Sequence, residues 1–170
     1  MTMIDLKRHV VDVADFPRPG ILFRDVMPLL RQHFAATVAA LDGLLSASEW
    51  SGIEVIAGIE SRGFILAAAL AERRGKGFVA IRKQGKLPPP VVDLAYALEY
   101  GAGVLEMQRG SGRLLIVDDV LATGGTLRGA AELAGAAGYA VGALAVLIDL
   151  KLVESFRWNG LPLRAVIDYG

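Results

Sequence analysis

Five short runs dominated by aliphatic residues recur along the chain, at 55–59, 78–81, 114–117, 141–148 and 163–167. A run this short with no polar face reads as a strand buried on both sides. Helical patterns lie between several of these runs, which makes them neighbours in a parallel sheet covered by helices. The expected fold class is therefore α/β, a mostly parallel twisted sheet with helices on both faces. Helices are expected at 6–11, at 29–45 after Pro28, at 63–74 with Gly75 as the stop, and at about 125–137. The segment 82–101 fits neither pattern: Gly85 and Pro88-Pro89-Pro90 precede a mixed polar and aromatic stretch. A connection this long is either functional or a plain surface loop or hairpin, and the residues alone leave both open.

Composition narrows the function classes. The 170 residues are 54% hydrophobic, enough for one domain with a real core. The 18 Lys+Arg balance 18 Asp+Glu, so no net charge draws the chain to nucleic acid or to an anionic membrane. There is no cysteine, hence no disulfide framework, thiolate nucleophile or zinc finger. His9 and His33 are far apart in sequence and do not suggest a histidine-rich metal site. The first residues carry charges where a signal peptide needs its apolar segment. The longest uncharged stretch, 133–148, is shorter than the roughly 20 residues of a membrane helix and is broken by glycines. A cytoplasmic location is expected.

In parallel sheets ligands sit beyond the carboxyl ends of the strands. The places to look are thus the loops after Ile59, Ile81 and Val117. The last reads Asp118-Asp119-Val120-Leu121-Ala122-Thr123-Gly124-Gly125-Thr126 and leads into a helix. Two carboxylates there can accept hydrogen bonds from sugar hydroxyls or from a metal's water shell. The glycines permit a tight turn and close backbone approach. Thr123 and Thr126 add hydroxyls, and the unpaired N–H groups of a helix start favour an anion such as phosphate. The alternative is a helix start capped by Thr123. Neither the Gly-Lys-Ser/Thr of triphosphatase loops nor the three spaced glycines of dinucleotide sites is present.

The segment 117–126 resembles the phosphoribosyl pyrophosphate signature of the type I phosphoribosyltransferase family. Over nearly its whole length the chain is similar to the branch of that family that acts on adenine. The residues that carry this are 16–25 (Phe-Pro-Arg-Pro-Gly-Ile-Leu-Phe-Arg-Asp), 60–64 (Glu-Ser-Arg-Gly-Phe), 82–88 (Arg-Lys-Gln-Gly-Lys-Leu-Pro) and 98–101 (Leu-Glu-Tyr-Gly). The resemblance implies the type I fold over 1–170 as a single domain. A small N-terminal hood of about 1–30 would cover the base, and a flexible catalytic loop would span about 82–101. It implies transfer of ribose 5-phosphate from phosphoribosyl pyrophosphate to adenine, giving AMP and pyrophosphate in purine salvage. It further implies a Mg2+ requirement and a homodimer, with no nucleic-acid or membrane partner.

Residue by residue, the resemblance assigns Asp118 and Asp119 to the ribose hydroxyls, and Ala122, Thr123, Gly124, Gly125 and Thr126 to the 5-phosphate. Ser61 and Arg62, and then Arg82, Lys83 and Lys86, go to pyrophosphate, for which a guanidinium offers a matched planar fork. Leu22, Phe23 and Arg24 go to the purine. Glu99 would accept the proton of the attacking adenine nitrogen, and Tyr100 would help to close the loop. Magnesium would be held mainly through substrate, without direct protein ligands, with Asp118 or Asp119 reaching it through water. Two features depart from the family pattern: the short connection 109–113 and the triple proline after Leu87. Three rivals stand beside the adenine reading. One is transfer to another purine base, another is a phosphoribosyl pyrophosphate sensor that regulates transcription, and the third is a doubly wound domain with an unrelated nucleotide ligand.

Overall fold

A computed structural model describes residues 4–98 and 101–170. The chain forms two units, Met1–Ala40 and Leu41–Gly170. In the first, a single 3-10 turn at Leu6–His9 precedes strands β1 (Val11–Ala14) and β2 (Leu22–Asp25), which pair antiparallel with Val13 opposite Phe23. The helix expected at 6–11 is thus cut short, because Val11 is taken up by the ladder with Asp25. The Pro-Gly segment between the strands is closed by Gly20 N–H donating to Asp15 Oδ1 at 2.7 Å and Phe16 N–H donating to Ile21 O at 3.2 Å. Helix α1 (Met27–Asp42) has Pro28 in its first turn, where a missing N–H costs nothing.

The second unit continues with α2 (Ala47–Gly52), β3 (Val55–Ile59), α3 (Arg62–Arg74) and β4 (Gly77–Lys83). Then come β5 (Val91–Leu98), β6 (Gly101–Gln108), β7 (Arg113–Leu121) and α4 (Gly125–Ala137). β8 (Ala140–Asp149), β9 (Arg157–Trp158) and β10 (Leu161–Asp168) complete it. Eight of these strands form one sheet in the order β5-β6-β4-β3-β7-β8-β10-β9. The five central strands are parallel, and at the edges the pairings β4–β6, β6–β5 and β10–β9 are antiparallel. This is the mostly parallel sheet that the aliphatic runs implied. Leu114, Leu115, Ile116 and Val117 are all 0% exposed. Because successive side chains point to opposite faces, β7 is covered on both. Among the described residues no helix is long and apolar enough to cross a membrane.

The hairpin left open for 82–101 is what forms. The segment 82–101 is not irregular through most of its length, since β5 pairs with β6 from Val91↔Gln108 to Leu98↔Gly101. Val92, Leu94 and Tyr96 are half-buried, while Asp93, Ala95 and Ala97 are exposed. This period of two was masked because alanine contrasts weakly with the aliphatics beside it.

Two glycines set the depth at which α3 lies on the sheet. A Cβ on Gly58 would come within 2.8 Å of Gly63 O, and a Cβ on Gly63 within 2.9 Å of Val117 O. The start of α3 is therefore held directly against the ends of β3 and β7. At its far end Gly75 adopts φ 60° and stops the helix in the left-handed conformation that favours glycine.

Candidate active site

Strands β4, β3 and β7 are adjacent and parallel, and their registers place Ile81 beside Ile59 and Val117 beside Gly58. Glu60, Arg82 and Asp118 each follow the last of these residues on its strand, so three chemically active segments leave one edge together. With strands about 4.8 Å apart, the segments span roughly 10 Å, the scale of a phosphorylated sugar.

The carboxylates are on the strand, one step earlier than the expected loop. Asp118 and Asp119 belong to β7 and are 8% and 6% exposed. The N–H of Asp119 donates to Asp118 Oδ1 at 2.8 Å. Burial, then the charge of Asp119, pushes the Asp118 carboxyl well above the ordinary carboxylate range, against the pull of that N–H and of Arg62. Asp119 Oδ2 accepts from Arg62 Nε in an ion pair.

Beyond them the chain turns around a cavity of about 140 Å³ lined by Asp118, Ala122, Thr123, Gly124, Gly125 and Thr126. The helix start is Gly124, with φ 89° and no side-chain cap. Thr123 therefore does not cap α4. The first N–H groups of a 13-residue helix, unpaired within it, face a space the size of a phosphate group. Glycine is required at 124 twice over: by its φ, and because a Cβ would lie 2.6 Å from the ring of Phe156.

On the other side, Ser61 is exposed at the start of α3, and Arg62 begins its first turn. Arg82 is gripped by the carboxylate of Glu60, through Nε at 3.3 Å and a terminal nitrogen at 3.2 Å. Lys83 N–H donates to the same carboxylate at 2.9 Å. The Arg82 hydrogen bond, followed by that of Lys83, holds the Glu60 carboxyl below its ordinary value. Lys83 and Lys86 are exposed. In the first unit, Phe16 and Phe23 meet edge to face at 5.1 Å, Leu22 is 49% exposed, and Arg24 is ion-paired with Asp12. Glu99 and Tyr100 lie outside the described residues.

Residues 31–157 match the family of the phosphoribosyl transferase domain. An adenine phosphoribosyltransferase of Hydrogenovibrio crunogenus is 48% identical over 165 residues, which is 96% of each chain. One of Bdellovibrio bacteriovorus is 47% identical over 98% of this chain and 100% of its own. The chain belongs to the adenine phosphoribosyltransferase family. Its fold is similar to the crystal structure of the adenine phosphoribosyltransferase of Rhodothermus marinus, at TM-score 0.82, 38% identity and 96% of each chain covered. It is also similar to that of Saccharomyces cerevisiae, complexed with an imino-altritol bisphosphate and adenine, at TM-score 0.85, 31% identity and 95% and 96% covered.

Three residues around the candidate site had no role in the sequence reading. Glu60 was visible as a carboxylate directly after a buried strand. Glu106 stands alone among Val104, Leu105 and Met107, which is a signal that it is buried and bonded. Phe156, beneath Gly124 and 5.2 Å from the guanidinium of Arg128, sits in a segment without periodicity, and nothing in the sequence singles it out.

Proposed function

We propose that this chain transfers ribose 5-phosphate from 5-phosphoribosyl 1-pyrophosphate to adenine, releasing AMP and pyrophosphate in purine salvage. The observation that carries the reading is the consecutive parallel order β7-β3-β4 in the sheet. It puts a carboxylate pair and a helix-start cavity on one strand end, beside the arginines of the next two. The 5-phosphate is assigned to 122–126 and the ribose hydroxyls to Asp118 and Asp119. Pyrophosphate is assigned to Ser61, Arg62, Arg82, Lys83 and Lys86.

In the reaction the bond from the anomeric carbon to pyrophosphate breaks, its electron pair leaves with pyrophosphate, and an adenine ring nitrogen bonds the carbon. Charge grows on the leaving oxygens, so Arg62 and Arg82 stabilise the transition state more than the ground state. Glu99 is assigned the proton lost by the adenine nitrogen. The aromatic pair of the first unit and Leu22 offer flat apolar surface for the base, with Arg24 beside them. The β5–β6 hairpin, with Tyr100, is assigned to shielding the sugar cation from water.

Magnesium fits this donor set as a substrate-borne ion. Among the described residues no group of three or more His, Cys, Asp or Glu could hold a metal, and magnesium commonly binds through phosphates and water. Asp118 and Asp119 would reach it through water, and when bound it supplies charge neutralisation and a template for the phosphates. A homodimer is assigned on the family resemblance; Ile65 and Phe78, 40% and 42% exposed, are among the apolar residues such an interface would cover.

The test is product formation with phosphoribosyl pyrophosphate and magnesium, comparing adenine with hypoxanthine, guanine and xanthine. AMP from adenine alone is expected, with turnover reduced about 10²-fold or more in Glu99→Ala. Turnover of another base overturns the adenine assignment. Binding without turnover of any base supports a sensor instead.

A further inference from the structure

We infer that Glu106 is a positioning residue for pyrophosphate: it clamps the backbone of Gly85, Lys86 and Leu87 and so fixes where Arg82 and Lys86 present their charges. The inference rests on the assignment of those two cations to pyrophosphate.

Glu106 lies on β6, opposite Arg82 of β4 on one side and Asp93 of β5 on the other. It is 3% exposed. A carboxylate buried to that degree is costly unless its oxygens are bonded. Here one oxygen accepts from Gly85 N–H at 2.9 Å, and the other from Lys86 N–H at 2.7 Å and Leu87 N–H at 2.6 Å. Three successive N–H groups converge because Gly85 takes φ 82°. The turn is a backbone nest of the kind that binds anions, and its anion is the protein's own side chain. These bonds, that of Gly85 first, keep the Glu106 carboxyl below its ordinary value and hence charged at neutral pH. The like charge of Asp93 is turned to Gln84 Nε2, which donates to it at 2.9 Å.

The clamp acts on function through the main chain. Lys86 O accepts from a terminal nitrogen of Arg82 at 3.4 Å. The guanidinium is therefore set from two sides, by Glu60 and by a carbonyl whose own residue is pinned by Glu106. Release of the turn moves the Lys86 backbone and removes one of the contacts that orient Arg82. Both effects weaken pyrophosphate contacts and leave adenine contacts alone.

The experiment is steady-state kinetics of Glu106→Gln, with Lys86→Ala and the double variant. Gln keeps the length and one acceptor oxygen but faces a backbone N–H with a second donor. The expected result is a rise of about tenfold in the KM for phosphoribosyl pyrophosphate and in the inhibition constant of pyrophosphate, the size of one charged hydrogen bond. The KM for adenine should stay within about twofold, and on top of Lys86→Ala the Glu106→Gln change should add clearly less than its own roughly tenfold, because only the Arg82 part of the effect, set by the Lys86 carbonyl, remains to be lost. An unchanged pyrophosphate constant in Glu106→Gln, beside a raised one in Lys86→Ala, overturns the inference and keeps the site. So does full additivity of the two changes. Unchanged constants in both Lys86→Ala and Arg82→Ala overturn the pyrophosphate assignment, and the inference falls with it. Should Glu106→Gln fail to fold, Gly85→Ala tests the same turn. An added Cβ there meets nothing within 4 Å, so only the φ is strained, and the same selective rise is expected.

Discussion

Arg62, in the first turn of α3, is ion-paired with Asp119 on β7. One residue is assigned to the leaving pyrophosphate and the other to the ribose, so this ion pair joins the two halves of the site and each partner competes with substrate for the other. Binding must exchange this pair for contacts with substrate. Asp119→Asn should therefore act in opposite directions on two ligands. Pyrophosphate alone should bind roughly threefold tighter, the worth of a partly exposed ion pair. The KM for phosphoribosyl pyrophosphate should rise about tenfold or more for loss of a charged acceptor to the sugar. Calorimetric titration with pyrophosphate and steady-state kinetics check the two signs. Weakening of both ligands would show that the pair assists binding instead of competing with it.

Glu60 holds Arg82 with two hydrogen bonds, and the Arg82 bond is the leading reason its carboxyl sits below the ordinary 4.5. A lowered folded value contributes stability that is present above the unfolded value and is lost as pH falls through the folded one. Glu60→Gln should thus melt about 2–4 °C lower at pH 7, for a loss on the order of 1 kcal/mol. The difference should close as the pH is taken below about 4.5, the unperturbed value at which the wild-type advantage begins to fade. Melting curves from pH 3 to 8 decide this. A gap that persists at the acid end would mean that Glu60 acts by packing and not by charge.

The sheet and the two long helices of the second unit were legible because their residues obey single rules. Leu114–Val117 is apolar on both faces, Gly75 stops α3 and Gly138 stops α4. The segment 118–126 stood out as a candidate site for a similar reason, since carboxylates, glycines and threonines there each have a plain chemical use. What escaped depends on long-range partners. β5 is a strand only through β6, β6 through β5 and β4, and Glu106 gains its meaning from a turn 20 residues away. α2 is the exception, for its capping box of Ser46 and Glu49 is written in four residues.

Gly63 is a fixed point for the site. A Cβ there would approach Val117 O at 2.9 Å, Asp118 Oδ1 at 3.1 Å and Asp118 Cα at 3.3 Å. Two of these atoms are backbone and cannot rotate away. Gly63→Ala should push the start of α3 off β7, costing about 1–3 kcal/mol, or roughly 2–12 °C of melting temperature. It should also raise the KM for phosphoribosyl pyrophosphate, because Arg62 moves with the helix. Gly77→Ala, whose Cβ would meet only a Val55 methyl at 3.7 Å, is the control and should leave that KM unchanged. An unaltered KM in Gly63→Ala would separate helix placement from substrate binding.

Asp118 is held in a setting that disfavours its charge, by burial first and Asp119 second. A folded value raised above the unfolded one means that the native state binds more protons between the two. Stability therefore falls as pH rises through that window, and the full penalty remains above it. Asp118→Asn removes the penalty while its amide oxygen still accepts from Asp119 N–H. At pH 8 the variant should melt higher than the wild type, with the gap closing toward pH 4. Its kcat/KM should nonetheless drop about 10–100-fold, the usual cost of a lost charged hydrogen bond to substrate. A protein made more stable and less active by one amide substitution would show that this carboxylate is kept for the sugar and not for the fold. A variant that melts lower at pH 8 would reverse the argument, because Asp118 would then be charged and stabilising, its attraction to Arg62 outweighing burial.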